Sequence, residues 1–250
     1  MNERLAGRAA LVTGSTDGIG AAIAYALAAE GAHVVVSGRD AERGARVVAD
    51  IAGRGGMATF VAADLAGGAT AVHALVDAAE AAVGPLHILV NNAAMLIAPT
   101  PTGDVAEALI DGALDVNVKA AFLLTGRVAP AMAARGGGVI VNLGSINGLV
   151  GMAESALYSA TKAAVHSLTK SWAAEYGPSG VRVNTVAPGP TITRRTERLT
   201  ERLAPMIATM PSRRPSRPDE VAGAVVFLVS DDAANIHGAT LTVDGGMAAV

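Results

Sequence analysis

Short β-branched runs alternate with Ala-rich helical patterns along almost the whole 250-residue chain. The strand-type runs lie at 9–12, 33–37, 58–61, 87–90, 139–142, 182–186 and 240–243. Helical patterns fill the intervals at 19–30, 41–52, 70–83, 104–135, 155–176 and 219–230. This alternation constrains the fold more than any other feature. Parallel strands need crossovers, and right-handed crossovers lay helices on both faces of one sheet. Each run is apolar on both sides of its alternation, as a strand covered on both faces requires. The expected class is α/β: one doubly wound domain over 1–250, with about seven parallel strands.

Composition agrees. Hydrophobic residues make up 51% of the chain and aromatic ones only 3%, so the core is Ala, Val, Leu and Ile. A net charge of −3 gives no reason to expect nucleic acid binding. There is no cysteine, which excludes disulfides and thiolate chemistry and fits a cytoplasmic setting. The first residues lack a signal-peptide pattern, and no apolar run approaches the length of a membrane span. No metal site is expected. Gly31, Gly53, Gly84 and Gly177 read as helix stops, and Pro218 before Asp219 and Glu220 reads as a helix start. The segment 191–218 leaves the rhythm. It carries Pro205, Pro211 and Pro215 and a short helix around 195–208, and it reads as a lid or loop on the substrate side.

The stretch TGSTDGIG follows the first strand and opens the first helix. A strand, a glycine turn and a helix start form a dinucleotide cradle, since the helix offers free N–H groups and a partial positive charge to a pyrophosphate. Gly14, Ser15, Thr16, Asp17, Gly18, Ile19 and Gly20 compose it. Further on, YSATK places Tyr158 and Lys162 one helical turn apart. Ser145 lies thirteen residues before the tyrosine, just past a strand, and Asn117 sits in the long helical segment before that strand. Alone, the Tyr is core or interface, the Ser a cap and the Asn a filler. Their joint spacing is what points to chemistry.

With NNAA at 91–94, PGPTIT at 188–193 and VDGG at 243–246, these motifs resemble the short-chain dehydrogenase/reductase family in its form of about 250 residues. The resemblance runs essentially end to end. It implies a Rossmann-like fold and an NAD(P)-dependent oxidoreductase acting between a ketone and a secondary alcohol. Tyr158 would be the general acid or base. Lys162 would lower the phenol's pKa and bond the nicotinamide ribose. Ser145 would hold the substrate oxygen, and Asn117 would anchor a water next to Lys162. Asp64 and Leu65 would border the adenine, and Asn91 and Ala93 the ribose. Pro188, Gly189, Thr191 and Thr193 would meet the nicotinamide amide and phosphate. NNAA stands where the family more often has NNAG; the added methyl of Ala94 removes no catalytic group.

At the end of the second strand stand Gly38 and Arg39 rather than an acid, which favours NADP(H) over NAD(H). Asp17 pulls toward NAD unless it caps the helix, turns to solvent or pairs with Arg39. Asn147 and Met152, together with Ile146, Leu149, Met95 and Leu96, are expected to line an apolar substrate pocket. Seven of the sixteen arginines fall between 194 and 217. They read either as an electropositive entrance for an anionic substrate or as a solvated helix face with pairs such as Glu197–Arg194 and Glu201–Arg198; the second reading is preferred. Alternatives for the whole chain are a 3-oxoacyl-thioester reductase and a non-catalytic cofactor sensor. A sugar-nucleotide epimerase is disfavoured by length. The resemblance also implies a homotetramer, with 104–135, 155–176 and the C-terminal tail as interface material.

Overall fold

The computed structural model describes residues 3–197 and 200–249. Seven parallel strands form one sheet in the order β3-β2-β1-β4-β5-β6-β7. They are β1 (Ala9–Val12), β2 (His33–Gly38), β3 (Met57–Ala62), β4 (Ile88–Asn91), β5 (Gly138–Leu143), β6 (Val181–Pro188) and β7 (Thr240–Val243). The helices are α1 (Gly18–Ala29), α2 (Ala41–Gly53), α3 (Gly68–Val83), α4 (Glu107–Leu114), α5 (Ala120–Ala134), α6 (Ala156–Tyr176), α7 (Thr200–Thr209) and α8 (Pro218–Val229).

The two-sided apolar pattern of the strands is resolved into two cores. Ala10, Val12, Val34, Val36, Ile88 and Val90 face α1, α2 and α8, through Ile23, Leu27, Val47, Val221 and Val225. Their alternates Ala9, Leu11, Val35 and Leu89 face α3, α5 and α6, through Leu75, Val76, Leu124, Val128 and Trp172. Period-two alternation therefore feeds both layers at once. The outer strands differ from expectation: β3 and β7 are only half-buried, because each has a neighbour on one side alone.

The chain steps outward from β1 to β2 and β3, then returns to lay β4 against the other side of β1. The crossovers diverge at that point and leave a crevice past the C-terminal ends of β1 and β4. Register places Leu11 beside both Val35 and Leu89, so the glycine loop after β1 and the NNAA stretch after β4 emerge together.

Two elements depart from the sequence expectation. The segment read as one helix over 104–135 is α4, a π-helical turn Asp115–Lys119, then α5. The helix expected at 195–208 is α7, which begins at Thr200; Arg198 and Leu199 lie outside the described residues. Thr191 bridges Ser216, so the two ends of the 191–218 excursion meet at the sheet. No helix among the described residues is long and apolar enough to cross a membrane.

Candidate active site

The glycine loop is stitched to the end of β4. Asn92 Nδ2 donates to the carbonyls of Thr13 (2.8 Å) and Gly14 (3.1 Å). Thr13 Oγ1 in turn accepts from the N–H groups of Asn92 and Ala93, each at 3.1 Å. This packing explains two glycines. A Cβ on Gly14 would lie 2.9 Å from Ala93 Cα, and Gly14 also has φ +63°. A Cβ on Gly20 would lie 2.4 Å from both Asn92 Nδ2 and the Gly14 carbonyl. Thr13 and Asn92 were not singled out from sequence. Their partners lie nearly eighty residues away, and only the doubled Asn beside the glycine motif hints at the contact.

The loop's side chains divide between structure and cleft. Ser15 is fully buried: its hydroxyl donates to the Val12 carbonyl at 2.6 Å and accepts from the Ser37 N–H at 2.9 Å. It ties the loop to β2 and has no hydroxyl hydrogen to spare. Thr16 covers Gly38, where a Cβ would lie 2.8 Å from its methyl. Asp17 caps α1, with Oδ1 accepting from the Gly18 N–H at 2.8 Å.

The other oxygen of Asp17 is ion-paired. Its partner is not Arg39, which is exposed, but Arg194 at 2.7 and 3.2 Å and Arg43 at 3.5 Å. Partial burial alone would raise this carboxyl's pKa; the Arg194 contact and the Gly18 N–H outweigh it and hold the group below its ordinary value. Arg194 is thus committed to Asp17 rather than to the expected Glu197. The expected Glu201–Arg198 pair falls on a residue outside those described. A groove of about 410 Å³ runs beside this cluster, lined by Thr16, Asp17, Tyr25, Arg43, Arg46 and Arg194 among others.

The second cluster gathers at the ends of β5 and α6. Tyr158, Lys162 and His166 fall at four-residue intervals on one face of α6. Lys162 is buried; its ammonium donates to the Leu143 carbonyl at 2.7 Å and sits 5.7 Å from the Tyr158 ring centre. Burial pushes Lys162 down to about 8. Burial also pushes the Tyr158 phenol up to about 12, opposed by a hydrogen bond from Ser145 and the charge of Arg195. The low dielectric around the ring outweighs its neighbours, and the ammonium is spent on a carbonyl.

Asn117 lies in the π-helical turn, a feature that frequently marks functional sites. Its Oδ1 accepts from the Met95 N–H at 2.7 Å. Its Nδ2 donates to the Met95 carbonyl at 3.1 Å and to Thr161 Oγ1 at 3.2 Å. It therefore joins the segment after NNAA to α6, between Tyr158 and Lys162. Asn91, expected beside the cofactor, turns its side chain into the core. There it donates to Asn142 at 2.8 Å, and Asn142 donates on to Thr169. Of the other predicted contacts, Asp64 caps a short turn with an exposed carboxylate, and Leu65 is buried in the core. Pro188 ends β6, and Gly189 packs on Asp244. Thr191 is buried, whereas Thr193 lies against Gly18 and closes the excursion onto the glycine loop.

Asn147 and Met152 do meet: Asn147 Nδ2 lies 3.6 Å from the Met152 sulfur and 2.9 Å from Ser155 Oγ. The small cavity at Tyr158 is lined instead by Ile97, Ala98, Thr100, Val105, Glu154 and Leu157. Of the expected lining, Leu96 and Leu149 are exposed and Ile146 is buried.

A family model described as Enoyl-(Acyl carrier protein) reductase matches residues 14–248. The chain is 41% identical to cis-4-hydroxycyclohexanecarboxylate dehydrogenase of Sinomonas cyclohexanicum, over the full length of both. It is 40% identical to dehydrogenase/reductase SDR family member 4 of Mus musculus, over 97% of this chain and 88% of that one. A solved structure described as an NAD(P)-dependent gluconate 5-dehydrogenase from Beutenbergia cavernae, with NADP bound at low occupancy, matches with a TM-score of 0.94. That protein is 40% identical, and the match covers both chains completely. The chain belongs to the short-chain dehydrogenase/reductase family. This short-chain dehydrogenase/reductase is an NAD(P)-dependent oxidoreductase acting between alcohols and carbonyl compounds.

The residues present fit a dinucleotide. The start of α1 carries first-turn N–H groups, of which Asp17 takes only that of Gly18. Gly14 and Gly18 at positive φ keep the backbone bare where a phosphate must approach. Thr16, Arg39, Arg43 and Arg194 supply hydroxyl and guanidinium donors beside the end of β2.

Proposed function

We propose that Tyr158 transfers the proton and Ser145 holds the substrate oxygen in this oxidoreductase, with Lys162 completing the site and NADP(H) as the preferred dinucleotide. The observation that carries the reading is the convergence of Tyr158, Ser145 and Lys162 where the end of β5 meets α6. When bound, the nicotinamide supplies or accepts the hydride. The chain's own residues handle the proton. A phenol held near 12 is protonated at neutral pH, so Tyr158 is ready to donate to a carbonyl oxygen gaining charge. The Ser145 hydroxyl, which already accepts from the Asn147 N–H, keeps its hydrogen to donate to the same oxygen. In the oxidative direction the phenolate of Tyr158 is the base and takes the alcohol's proton.

NADP(H) is favoured by Gly38 and Arg39, rather than an acid, at the end of β2. Asp17 weighed against it as a bare negative charge. Arg194 at 2.7 Å balances that charge, while Arg43 is shared between Asp17 at 3.5 Å and Asp40 at 2.6 Å.

For the substrate we favour a secondary alcohol or ketone that also bears a carboxylate. Arg202, Arg214 and Arg217 pair with acids, and Arg213 bonds the Ala208 carbonyl, so these belong to a solvated surface. Arg195 differs: it pairs with no carboxylate among the described residues, and its charge acts on Tyr158. Two relatives carry the names of hydroxy-acid dehydrogenases, for cis-4-hydroxycyclohexanecarboxylate and for gluconate.

Tyr158→Phe is expected to keep cofactor binding, read by nicotinamide fluorescence, and to lose at least 100-fold in turnover; a variant retaining a tenth of the parent rate overturns the assignment. One panel tests cofactor and substrate class together: kcat/KM for cyclic and linear ketones, with and without a carboxylate, with NADPH and with NADH. A tenfold preference for NADH removes the first reading. Equal rates for acid and amide forms of one ketone remove the second.

A further inference from the structure

His166 has no part in the chemistry assigned above, yet it sits directly beneath it. It follows Lys162 by four residues on α6 and is 5% exposed. Its Nε2 accepts the Ser145 backbone N–H at 3.4 Å. The ring fills the space between the two glycines that bracket Ser145. A Cβ on Gly144 would lie 2.1 Å from His166 Nε2, and one on Gly148 would lie 3.1 Å from Cε1. The loop Gly144–Gly148 is therefore moulded on an imidazole. Ser145 is held at two points: its N–H by His166, and its hydroxyl by the Asn147 N–H at 3.2 Å.

We propose that His166 is a positioning residue: its Nε2 fixes the Ser145 backbone and so aims the Ser145 hydroxyl at the reacting oxygen. Acceptance from an N–H requires a lone pair at Nε2, so the neutral ring carries its proton on Nδ1, which is buried without a partner among the described residues. Burial, then the charges of Lys162 and Lys170, keep the ring neutral. The role is specific to an acceptor at this height above α6, not to a ring that fills space.

The inference rests on Ser145 acting with Tyr158, and the experiment separates the two ideas. kcat and cofactor Kd, the latter from nicotinamide fluorescence, are measured for Ser145→Ala, His166→Met, His166→Gln and the Ser145→Ala/His166→Met double variant. Met keeps the volume and lacks the acceptor; Gln can return an oxygen to the Nε2 position. We expect His166→Met to lower kcat about tenfold with Kd within twofold, and His166→Gln to recover at least half the parent kcat. In the Ser145→Ala background, His166→Met is expected to cost less than twofold, since the two act as one unit. If Met does not fold, His166→Asn takes its place, because its shorter side chain cannot reach the Ser145 N–H. Equal kcat in the Met and Gln variants, or additive losses in the double variant, overturns the proposal. An unchanged kcat in Ser145→Ala overturns the underlying site assignment instead.

Discussion

A lysine buried to 4% exposure and held at about 8 against an ordinary 10.5 carries a charging cost of about 3 kcal/mol at neutral pH. Its hydrogen bond to the Leu143 carbonyl returns about 1–2 kcal/mol of that. Lys162 thus weakens the fold it sits in, as groups kept for chemistry often do. Lys162→Met, which fills the same channel with apolar atoms, is expected to raise Tm by about 2–6 °C while lowering turnover at least 100-fold. Thermal unfolding followed by circular dichroism decides it: a lower Tm would mean the ammonium is a net stabiliser. Tyr158 and Lys162 were legible in the sequence because they share the short motif YSATK, whereas Ser145 and Asn117 stood out only through their joint spacing and the family resemblance. Asp17's partners were not legible. Arg194 lies 177 residues from it, and Arg43 is brought to the loop side only by the packing of α2, so the sequence offered the nearer Arg39 instead.

Elements were read well where burial dictates pattern and poorly where it does not. All seven strands fall within two residues of the expected bounds, because each is a β-branched run between glycine or helix signals. The π-helical turn left no trace, since one inserted residue shifts the helical period without breaking it. The end of α8 is another hidden device. Arg182, 8% exposed at the start of β6, reaches across to the terminal carbonyls of α8, with Nη1 on Leu228 at 2.6 Å and Nη2 on Ser230 at 3.0 Å. In sequence it reads only as a charge at the edge of an apolar strand. It satisfies carbonyls that a helix end leaves unpaired. Arg182→Leu removes both charged donors and strands those oxygens in the core, an expected loss of about 3 kcal/mol. Because this end of β6 is opposite the crevice, cofactor Kd is expected to stay within twofold while the urea midpoint falls. Weakened cofactor binding would show that the damage reaches the glycine loop.

For the molecule as a whole, acid tolerance should be limited by one buried ring. His166 is held at about 4, against an ordinary 6.5, chiefly by burial. Between those values the unfolded chain binds a proton that the folded protein refuses, so stability rises with pH across the window and is lost as pH falls from 6.5 to 4. The full loss is about 3 kcal/mol, a large share of the 5–15 kcal/mol typical of a folded domain. Other groups titrate in the same sense. His87 is also lowered by burial, and carboxylates such as Asp17, Glu30 and Glu220 are held low by arginines. The carboxylates act only below their ordinary values of 3.8–4.5, and all of these groups remain in a His166→Gln variant. The difference between parent and variant therefore isolates the ring. Urea midpoints at pH 7, 5.5 and 4.5 should fall steeply for the parent and more gently for His166→Gln, the two curves converging or crossing toward pH 4. Parallel curves would mean that His166 is protonated in the folded state, with the Ser145 N–H facing a donor rather than an acceptor.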